Sequence, residues 1–123
     1  MRERADRMGR RWMGRVPLNR GEIRWYTFSL PDKRRPVLVL TREEVLEHLN
    51  EIIVAPVTRT IRGLRTEVLL TEGDGMPAAC AVNFDHLSLG RRDRFGSVLC
   101  TLPGERWTEV RRALLIACGF DQG

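Results

Sequence analysis

Polar residues at the ends of predicted strands are the candidates for chemistry in this sequence: Arg35, Thr58, Asp85 and His86. An arginine presents a planar fork of donors that matches the oxygens of a phosphate, and a threonine hydroxyl adds one more donor. If Arg35 and Thr58 lie on neighbouring strands, both groups converge on one phosphodiester, whose charge grows in a pentavalent transition state. An RNA 2′-hydroxyl could then be the internal nucleophile, so that no metal-bound water is required.

The same residues also suit a plainer role. Spacing alone favours a surface ion pair for Arg35 and a strand-end hydrogen bond for Thr58. Arginine stays protonated and does not readily act as a general base. An imidazole is the side chain most often used to exchange protons near neutral pH, so His86 is a candidate for proton transfer, for a hydrogen bond to RNA or for a structural hydrogen bond. The only other histidine is His48, and the spacing of the two predicts no metal site.

Two apolar runs must position these side chains. The run after Pro36 is unbroken and rich in β-branched residues, which predicts a strand at 37–41 that is buried on both faces. Because proline has no N–H to donate, we expect Pro36 at the first position of that strand, with Arg35 at its mouth. The second run predicts a strand at 52–58, which ends at Thr58.

The remaining patterns predict a mainly β fold with α additions. Capping-box spacing between Thr41 and Glu44 predicts a short middle helix, and helical periodicity predicts a C-terminal helix at 105–118. The connections are too short for parallel crossovers, so we expect a small, largely antiparallel, barrel-like sheet. Its further strands are predicted near 23–28, 66–70, 80–84 and 95–101.

The basic character of the chain is concentrated at its beginning. The net charge is +5, and residues 1–20 carry seven arginines against two acidic residues. This predicts a basic, disordered N-terminal arm at 1–19 and a single domain at 20–121. Three further basic clusters are predicted in loops, around residues 33–35, 59–65 and 91–94.

Composition also predicts the compartment. No apolar run is long enough to span a bilayer, and no signal peptide is recognisable, so we expect a cytoplasmic protein with no membrane partner. Three cysteines, Cys80, Cys100 and Cys118, lie in apolar runs and are predicted to be buried, reduced side chains.

An ordered set of short motifs resembles the MazF/PemK family of toxins from toxin–antitoxin modules. Each motif is weak alone, but they occur in the family's order and spacing from about Arg20 to Phe120. They are Arg20-Gly21-Glu22-Ile23 with Trp25, the Arg35-Pro36 run, Val54-Ala55-Pro56-Val57-Thr58, Gly63-Leu64 with Thr66-Glu67-Val68, Ala81-Val82-Asn83-Phe84-Asp85, and Glu105-Arg106 with Glu109-Val110.

The resemblance implies a small SH3-like antiparallel barrel of the CcdB/PemK type that forms a homodimer. It implies the toxin of a type II module, an mRNA interferase that cleaves single-stranded RNA sequence-specifically, without metal or cofactor. The products would carry a 2′,3′-cyclic phosphate and a 5′-hydroxyl. It maps the catalytic pair onto Arg35 and Thr58. Residues for RNA contact or proton transfer would be Asp85, His86, Arg34, Lys33, Arg59 and Thr60.

The resemblance also implies partners. A cognate antitoxin would block the RNA groove with an extended acidic segment, which the basic clusters make electrostatically reasonable. Operator DNA would be reached only through that antitoxin. Two departures from the family pattern concern RNA contacts: the connection before Arg35 is short, and Ser88 stands where many members carry a basic residue. A CcdB-like gyrase-binding toxin and a non-catalytic nucleic-acid-binding barrel are the alternatives.

Overall fold

A computed structural model describes residues 16–29 and 33–121 of the chain. Within them, one antiparallel sheet has the strand order β4-β5-β3-β2-β1-β7, and β6 pairs with the first half of β3. The sheet is curled, and a helix near the C-terminus packs against it at β4, which confirms the predicted mainly β, barrel-like class. The elements are β1 (Glu22–Ser29), β2 (Lys33–Val39), α1 (Glu43–Leu46), β3 (Glu51–Thr58), β4 (Glu67–Leu70), β5 (Cys80–Asn83), β6 (Ser88–Arg91), β7 (Phe95–Thr101) and α2 (Trp107–Ala117).

From Val37 onward the central strand β2 is buried on both of its faces, as its unbroken apolar run predicts. Leu38 packs into a cluster with Ile23 of β1, Leu70 of β4 and Val110 of α2. Val37 and Val39 pack on the other side, in a cluster that also contains residues of β1, β3 and β7. Burial of each side chain of this size contributes about 1.5–3 kcal/mol to the stability of the fold. The apolar part of β2 therefore anchors the domain and holds the preceding residues of the same strand in position.

The start of β2 differs from the prediction. The strand begins at Lys33 rather than Val37, so the basic cluster at 33–35 lies in a strand and not in a loop. Up to Pro36 the strand pairs only with β1, because the ladder with β3 begins at Val37. A proline is tolerated at such a one-sided position, which is why Pro36 is the fourth residue of the strand and not the first.

The predicted capping box is wrong. Residue Arg42 occupies the cap position of α1 and makes no side-chain capping bond. The hydroxyl of Thr41 instead accepts a hydrogen bond from the backbone N–H of Ile53 at 2.8 Å, and so ties the end of β2 to β3. The helix is one turn long, and Leu46 is its only buried residue.

Residues 16–19, which the sequence assigns to the basic arm, pack against the sheet. The side chain of Leu18 is 7% exposed and belongs to the core cluster behind Val37. Backbone carbonyls in this segment accept hydrogen bonds from two buried arginines: Arg24 binds Pro17 at 2.9 Å and Arg92 binds Val16 at 2.6 Å. The rest of the predicted arm, residues 1–15, lies outside the described residues.

The cysteines and the helices complete the fold. All three thiols are free, but only Cys80 is buried; Cys100 is half-buried and Cys118 is exposed, so the prediction of buried side chains is wrong for Cys118.

A short 3-10 turn precedes α2, which therefore begins two residues later than predicted. Neither helix in the described part of the chain has the length and apolar content needed to cross a bilayer.

Candidate functional site

A cavity of about 510 Å³ opens where β2 begins and β3 ends. Both residues that the sequence proposes as the reactive pair, Arg35 and Thr58, line it. So do four of the six predicted accessory residues, Lys33, Arg34, Arg59 and Thr60. The remaining lining residues in the described part of the chain are Trp25, Pro36, Val57, Met76, Pro77, Ala78, Cys80 and Leu99.

Strand register explains why Arg35 and Thr58 meet at one cavity. The recorded pairs between β2 and β3 end at Val37 opposite Pro56. The same register continued by two residues sets Arg35 opposite Thr58. Side chains alternate along a strand, so residues opposite each other share a face of the sheet. Two positions separated by 22 residues in sequence are thus brought to the same rim.

The hydroxyl of Thr58 is held by its own backbone. Its oxygen accepts a hydrogen bond from the N–H of Thr60 at 3.1 Å. A threonine hydroxyl has one proton to donate and two lone pairs, and this bond uses a lone pair only. The hydroxyl proton therefore remains available for an oxygen of a bound molecule.

The cavity has a strongly one-sided charge. Four cations line it, which we call the cavity cations: Lys33, Arg34, Arg35 and Arg59. No aspartate, glutamate or histidine is among the described lining residues. The side chains of the cavity cations make no ion pair or hydrogen bond to described residues. The guanidinium carbon of Arg34 lies 5.0 Å from the ring centre of Trp25. Such a site favours a polyanion.

The wall that follows Thr58 is folded around one carboxylate. Oε1 of Glu67 accepts hydrogen bonds from the backbone N–H groups of Arg62, Gly63 and Leu64 at 3.0–3.3 Å. Gly63 supplies the positive φ of 71° that this turn needs. The loop between β3 and β4 thus has a defined shape and presents Arg59 and Thr60 to the cavity.

The opposite wall is the segment between β4 and β5, which brings Met76, Pro77 and Ala78 to the cavity. A capping box between Thr71 and Asp74 opens this segment. At Gly75, where φ is +100°, an added Cβ would lie 2.8 Å from the Cβ of Cys100, so only glycine fits. Arg106 pairs with Asp74 at 2.5 Å and fastens the segment to the start of α2.

Cys80 is the only thiol that lines the cavity, and it is suited to packing rather than to chemistry. Burial raises its pKa, the charge of Asp74 raises it further, and Arg59 lowers it in part. The side chain is 3% exposed. A thiol with a raised pKa carries little of the thiolate form that acts as a nucleophile.

Asp85 and His86 are not brought into this cavity. They lie on a 3-10 turn after β5, and β5 runs from Cys80 at the cavity towards its far end. Asp85 accepts a hydrogen bond from the Thr66 hydroxyl at 2.6 Å and His86 is exposed. Neither residue is among the described residues that line the cavity, and their role in RNA contact or proton transfer stays a prediction.

Sequence reasoning did not assign a site role to Trp25. Its pairing with Pro36 across β1 and β2 places its ring beside the Arg-Pro motif. Register was the signal that could have found it, because an aromatic residue on the strand next to a basic cluster is a candidate platform for a base. Met76, Pro77, Ala78 and Leu99 carry no comparable signal, since they line the cavity through the course of distant segments.

Comparisons with known proteins agree on one family. Residues 19–118 match the family described as the PemK-like, MazF-like toxin of type II toxin–antitoxin systems. The chain is 36% identical over 103 residues to the probable endoribonuclease MazF2 of Mycobacterium tuberculosis, covering 83% of this chain and 99% of that protein. Over 55 residues, 45% of this chain and 53% of the relative, it is 49% identical to the endoribonuclease MazF3 of the same organism.

Solved structures show the same fold. The toxin MazF-mt6 of Mycobacterium tuberculosis superimposes with a TM-score of 0.74 at 33% identity, over 81% of this chain and 98% of that one. A chain of the MazE–MazF complex from Deinococcus radiodurans has a TM-score of 0.71 at 27% identity, over 86% of this chain and 99% of that one.

Proposed function

Since the chain belongs to the family of PemK-like, MazF-like toxins of type II toxin–antitoxin systems, we propose that it is an endoribonuclease that cleaves RNA at the Arg35–Thr58 cavity. One observation carries the assignment of the site. A guanidinium and a correctly held hydroxyl share a cavity that has four cations and, among its described lining residues, no acidic group. A phosphodiester is the substrate group that this arrangement fits.

The phosphorus–oxygen bonds that form and break in the reaction all belong to the RNA. The 2′-oxygen attacks the adjacent phosphorus, the bond from phosphorus to the 5′-oxygen breaks, and the products carry a 2′,3′-cyclic phosphate and a 5′-hydroxyl. Arg35 donates to the non-bridging oxygens, which gain charge in the transition state. The Thr58 hydroxyl donates to the same group and fixes its orientation. Single-stranded RNA is the substrate, because the 2′-oxygen must swing into line with the leaving oxygen.

Proton transfer is the step for which the cavity has no dedicated residue. None of its described lining residues is a carboxylate or a histidine, and the Cys80 thiol has a raised pKa. We assign the proton lost by the 2′-hydroxyl and the proton gained by the 5′-oxygen to exchange with water. Under this assignment His86→Ala leaves the pH profile of kcat unchanged. If His86 were catalytic, the same substitution would remove one limb of that profile.

Four further properties belong to the same proposal. The antitoxin inhibits by laying an extended acidic segment over the cavity cations, and the protein contacts operator DNA only through that antitoxin. The active toxin is a homodimer, and it works in the cytoplasm, where its RNA substrate is found.

The test is cleavage of a long RNA by purified protein in EDTA, with the cut ends mapped. We expect Arg35→Ala and Thr58→Val each to slow cleavage on the order of 10²–10³-fold, which is the effect of removing one donor to a developing oxyanion. Arg112→Ala is the matched control, because this arginine is exposed on α2 and outside the cavity.

Three outcomes contradict the proposal. Full activity of both cavity variants removes the site assignment even if cleavage is real. RNA that is retarded but not cut makes the protein a binding barrel. Intact RNA with arrested DNA supercoiling makes it a gyrase inhibitor.

A further inference from the structure

A second cavity lies directly beside the first and shares a wall with it. It has a volume of about 470 Å³, and Trp25 and Arg34 line both cavities. The shared wall is a stacked pair, with the guanidinium carbon of Arg34 5.0 Å from the centre of the Trp25 ring. A strand of RNA that places its phosphate at Arg35 therefore has a second compartment within reach.

The fold keeps this second cavity open at Gly96. A Cβ at this position would lie 3.3 Å from the Cβ of Trp25, tighter than ordinary packing, and 3.9 Å from Nη2 of Arg34. Any larger side chain would displace the stacked pair or fill the space. Glycine at this point of β7 therefore preserves both the wall and the volume behind it.

The polar groups of the second cavity differ from those of the first. Asp93 contributes the only carboxylate among the described residues of its lining, together with Thr27 and Arg94. Oδ2 of Asp93 accepts a hydrogen bond from Arg91 at 3.1 Å. Oδ1 makes no hydrogen bond to described residues. A carboxylate repels phosphate but accepts hydrogen bonds from the exocyclic amino group of a base.

We propose that this second cavity is a base subsite for a nucleotide adjacent to the scissile phosphate, and that Asp93 selects cytosine over uracil there. The inference rests on the proposed RNA cleavage at the first cavity. Single-stranded RNA is recognised by stacking bases on aromatic and guanidinium planes and by hydrogen bonds to their edges. The Trp25–Arg34 pair supplies the plane. Asp93 supplies the acceptor for N4 of cytosine, where uracil presents an oxygen.

The experiment compares bases and not overall rates. After the cut site has been mapped on a mixed RNA pool, each flanking position is varied between cytidine and uridine, and kcat/KM is measured for each oligonucleotide. At one flanking position, wild type prefers cytidine, and Asp93→Asn lowers that preference roughly tenfold. A purely electrostatic role of Asp93 would change both substrates equally and leave the ratio constant.

The matched control is Asp121→Asn. Like Asp93, Asp121 is exposed and near an arginine, since its Oδ2 lies 3.8 Å from Nη2 of Arg65, but it lines neither of the two cavities. We expect this control to keep the wild-type ratio at every position. A cytidine-to-uridine ratio that Asp93→Asn leaves unchanged overturns the subsite while cleavage itself stands.

A binding measurement separates this inference from the proposed function. An oligonucleotide with 2′-deoxyribose at the cut site cannot be cleaved, and it is titrated against the protein while the indole N–H of Trp25 is followed by NMR. That signal is assigned with Trp25→Phe. A shift with the cytidine oligonucleotide that is much smaller with uridine supports the subsite, even for a protein that does not cleave RNA. A Trp25 signal that neither oligonucleotide moves rejects it.

Discussion

Two groups of cationic side chains in this domain differ in where their hydrogen-bond donors are used. The structural arginines, Arg24, Arg92 and Arg106, give their donors to the protein itself. The cavity cations, in contrast, make no ion pair or hydrogen bond to described residues. Buried guanidinium groups need a partner for each donor, whereas exposed groups are solvated by water and stay available to a ligand. Hydrogen-bond and ion-pair partners within the protein, and not residue type, therefore distinguish the arginines that stabilise the fold from those proposed to bind the substrate.

The structural arginines share a pattern of bonds to backbone carbonyls. Arg92 is 5% exposed and donates to the carbonyls of Leu46, Leu49 and Val16. Arg24 donates to Gly96 and Pro17 and pairs with Glu22 at 2.8 Å. Arg106 reaches the carbonyl of Leu69 on the edge strand β4. Each connects segments that are distant in sequence, which is what a cross-link made of hydrogen bonds does.

The largest effect should come from Arg92→Met, which keeps the length of the side chain but removes every donor. One buried carbonyl and two part-buried carbonyls lose this partner. A buried carbonyl left unsatisfied costs about 1–3 kcal/mol, and a part-buried one costs less. We expect the free energy of unfolding to fall by roughly 4 kcal/mol, a large share of the stability of a small domain. Urea denaturation measures it.

The matched control for that prediction is Arg35→Met, the same substitution at a cavity cation. Because Arg35 is exposed and makes no ion pair or hydrogen bond to described residues, stability should change by no more than about 0.5 kcal/mol. Cleavage of RNA by this variant should slow on the order of 10²–10³-fold, as for Arg35→Ala. Equal destabilisation by the two substitutions would remove the distinction between the two groups.

This distinction could be predicted only in part from the sequence. The apolar run after Pro36 predicts a strand buried on both faces, and the motif order predicts the fold and the pair Arg35 and Thr58. The role of Arg92 could not be predicted, because a basic cluster at 91–94 is typical of a solvated loop. Its guanidinium is bound by backbone carbonyls from segments that are distant in sequence. Because every residue has a backbone carbonyl, the sequence does not mark these partners.

Strand β6 was missed for a related reason. Gly90 is its only buried residue, whereas Leu89 is 62% exposed, the reverse of an amphipathic strand. The glycine is needed because an added Cβ would lie 3.1 Å from the rings of both Tyr26 and Phe95. The second cavity was missed as well, since it depends on the register that sets Trp25 beside the Arg-Pro motif. Close packing and register are three-dimensional facts that periodicity does not report.

An intermediate effect is expected at the Glu22–Arg24 pair, and it should depend on pH. Burial by itself raises the pKa of Glu22, but hydrogen bonds from Arg24 and Asn19 outweigh it and lower the pKa below its ordinary value of 4.5. The carboxylate therefore contributes stability that is complete above pH 4.5 and is lost as the pH falls through the lower folded-state pKa. Glu22→Gln should cost about 1.5 kcal/mol at pH 7.

The measurement is urea unfolding of wild type and Glu22→Gln between pH 7 and pH 3. The difference between the two proteins should shrink below pH 4.5, as the wild-type carboxylate becomes protonated. Glu72→Gln is the control, because this glutamate is exposed to solvent. A difference that stays constant down to pH 3 would mean that the lost stability comes from the packing of the Glu22 side chain and not from its charge.

The smallest effect should separate two arginines of one loop. Arg59 lines the cavity, whereas Arg62, three residues further along the same loop, does not. If Arg59 neutralises one phosphate, Arg59→Gln weakens binding of a non-cleavable oligonucleotide similarly for all sequences. It also lowers the slope of log K against log salt by about 0.7, the value for one phosphate on a single strand.

Arg62→Gln is the sharpest control for this last comparison, since it removes the same charge from the same loop. A slope that falls equally in both variants would mean that the RNA responds to the overall charge of the loop and not to the cavity. The division between cations would then hold only for those buried in the fold, and the exposed ones would act as one field. A slope that falls only for Arg59→Gln places a phosphate at the cavity, because counterion release counts the charges that a bound strand actually contacts.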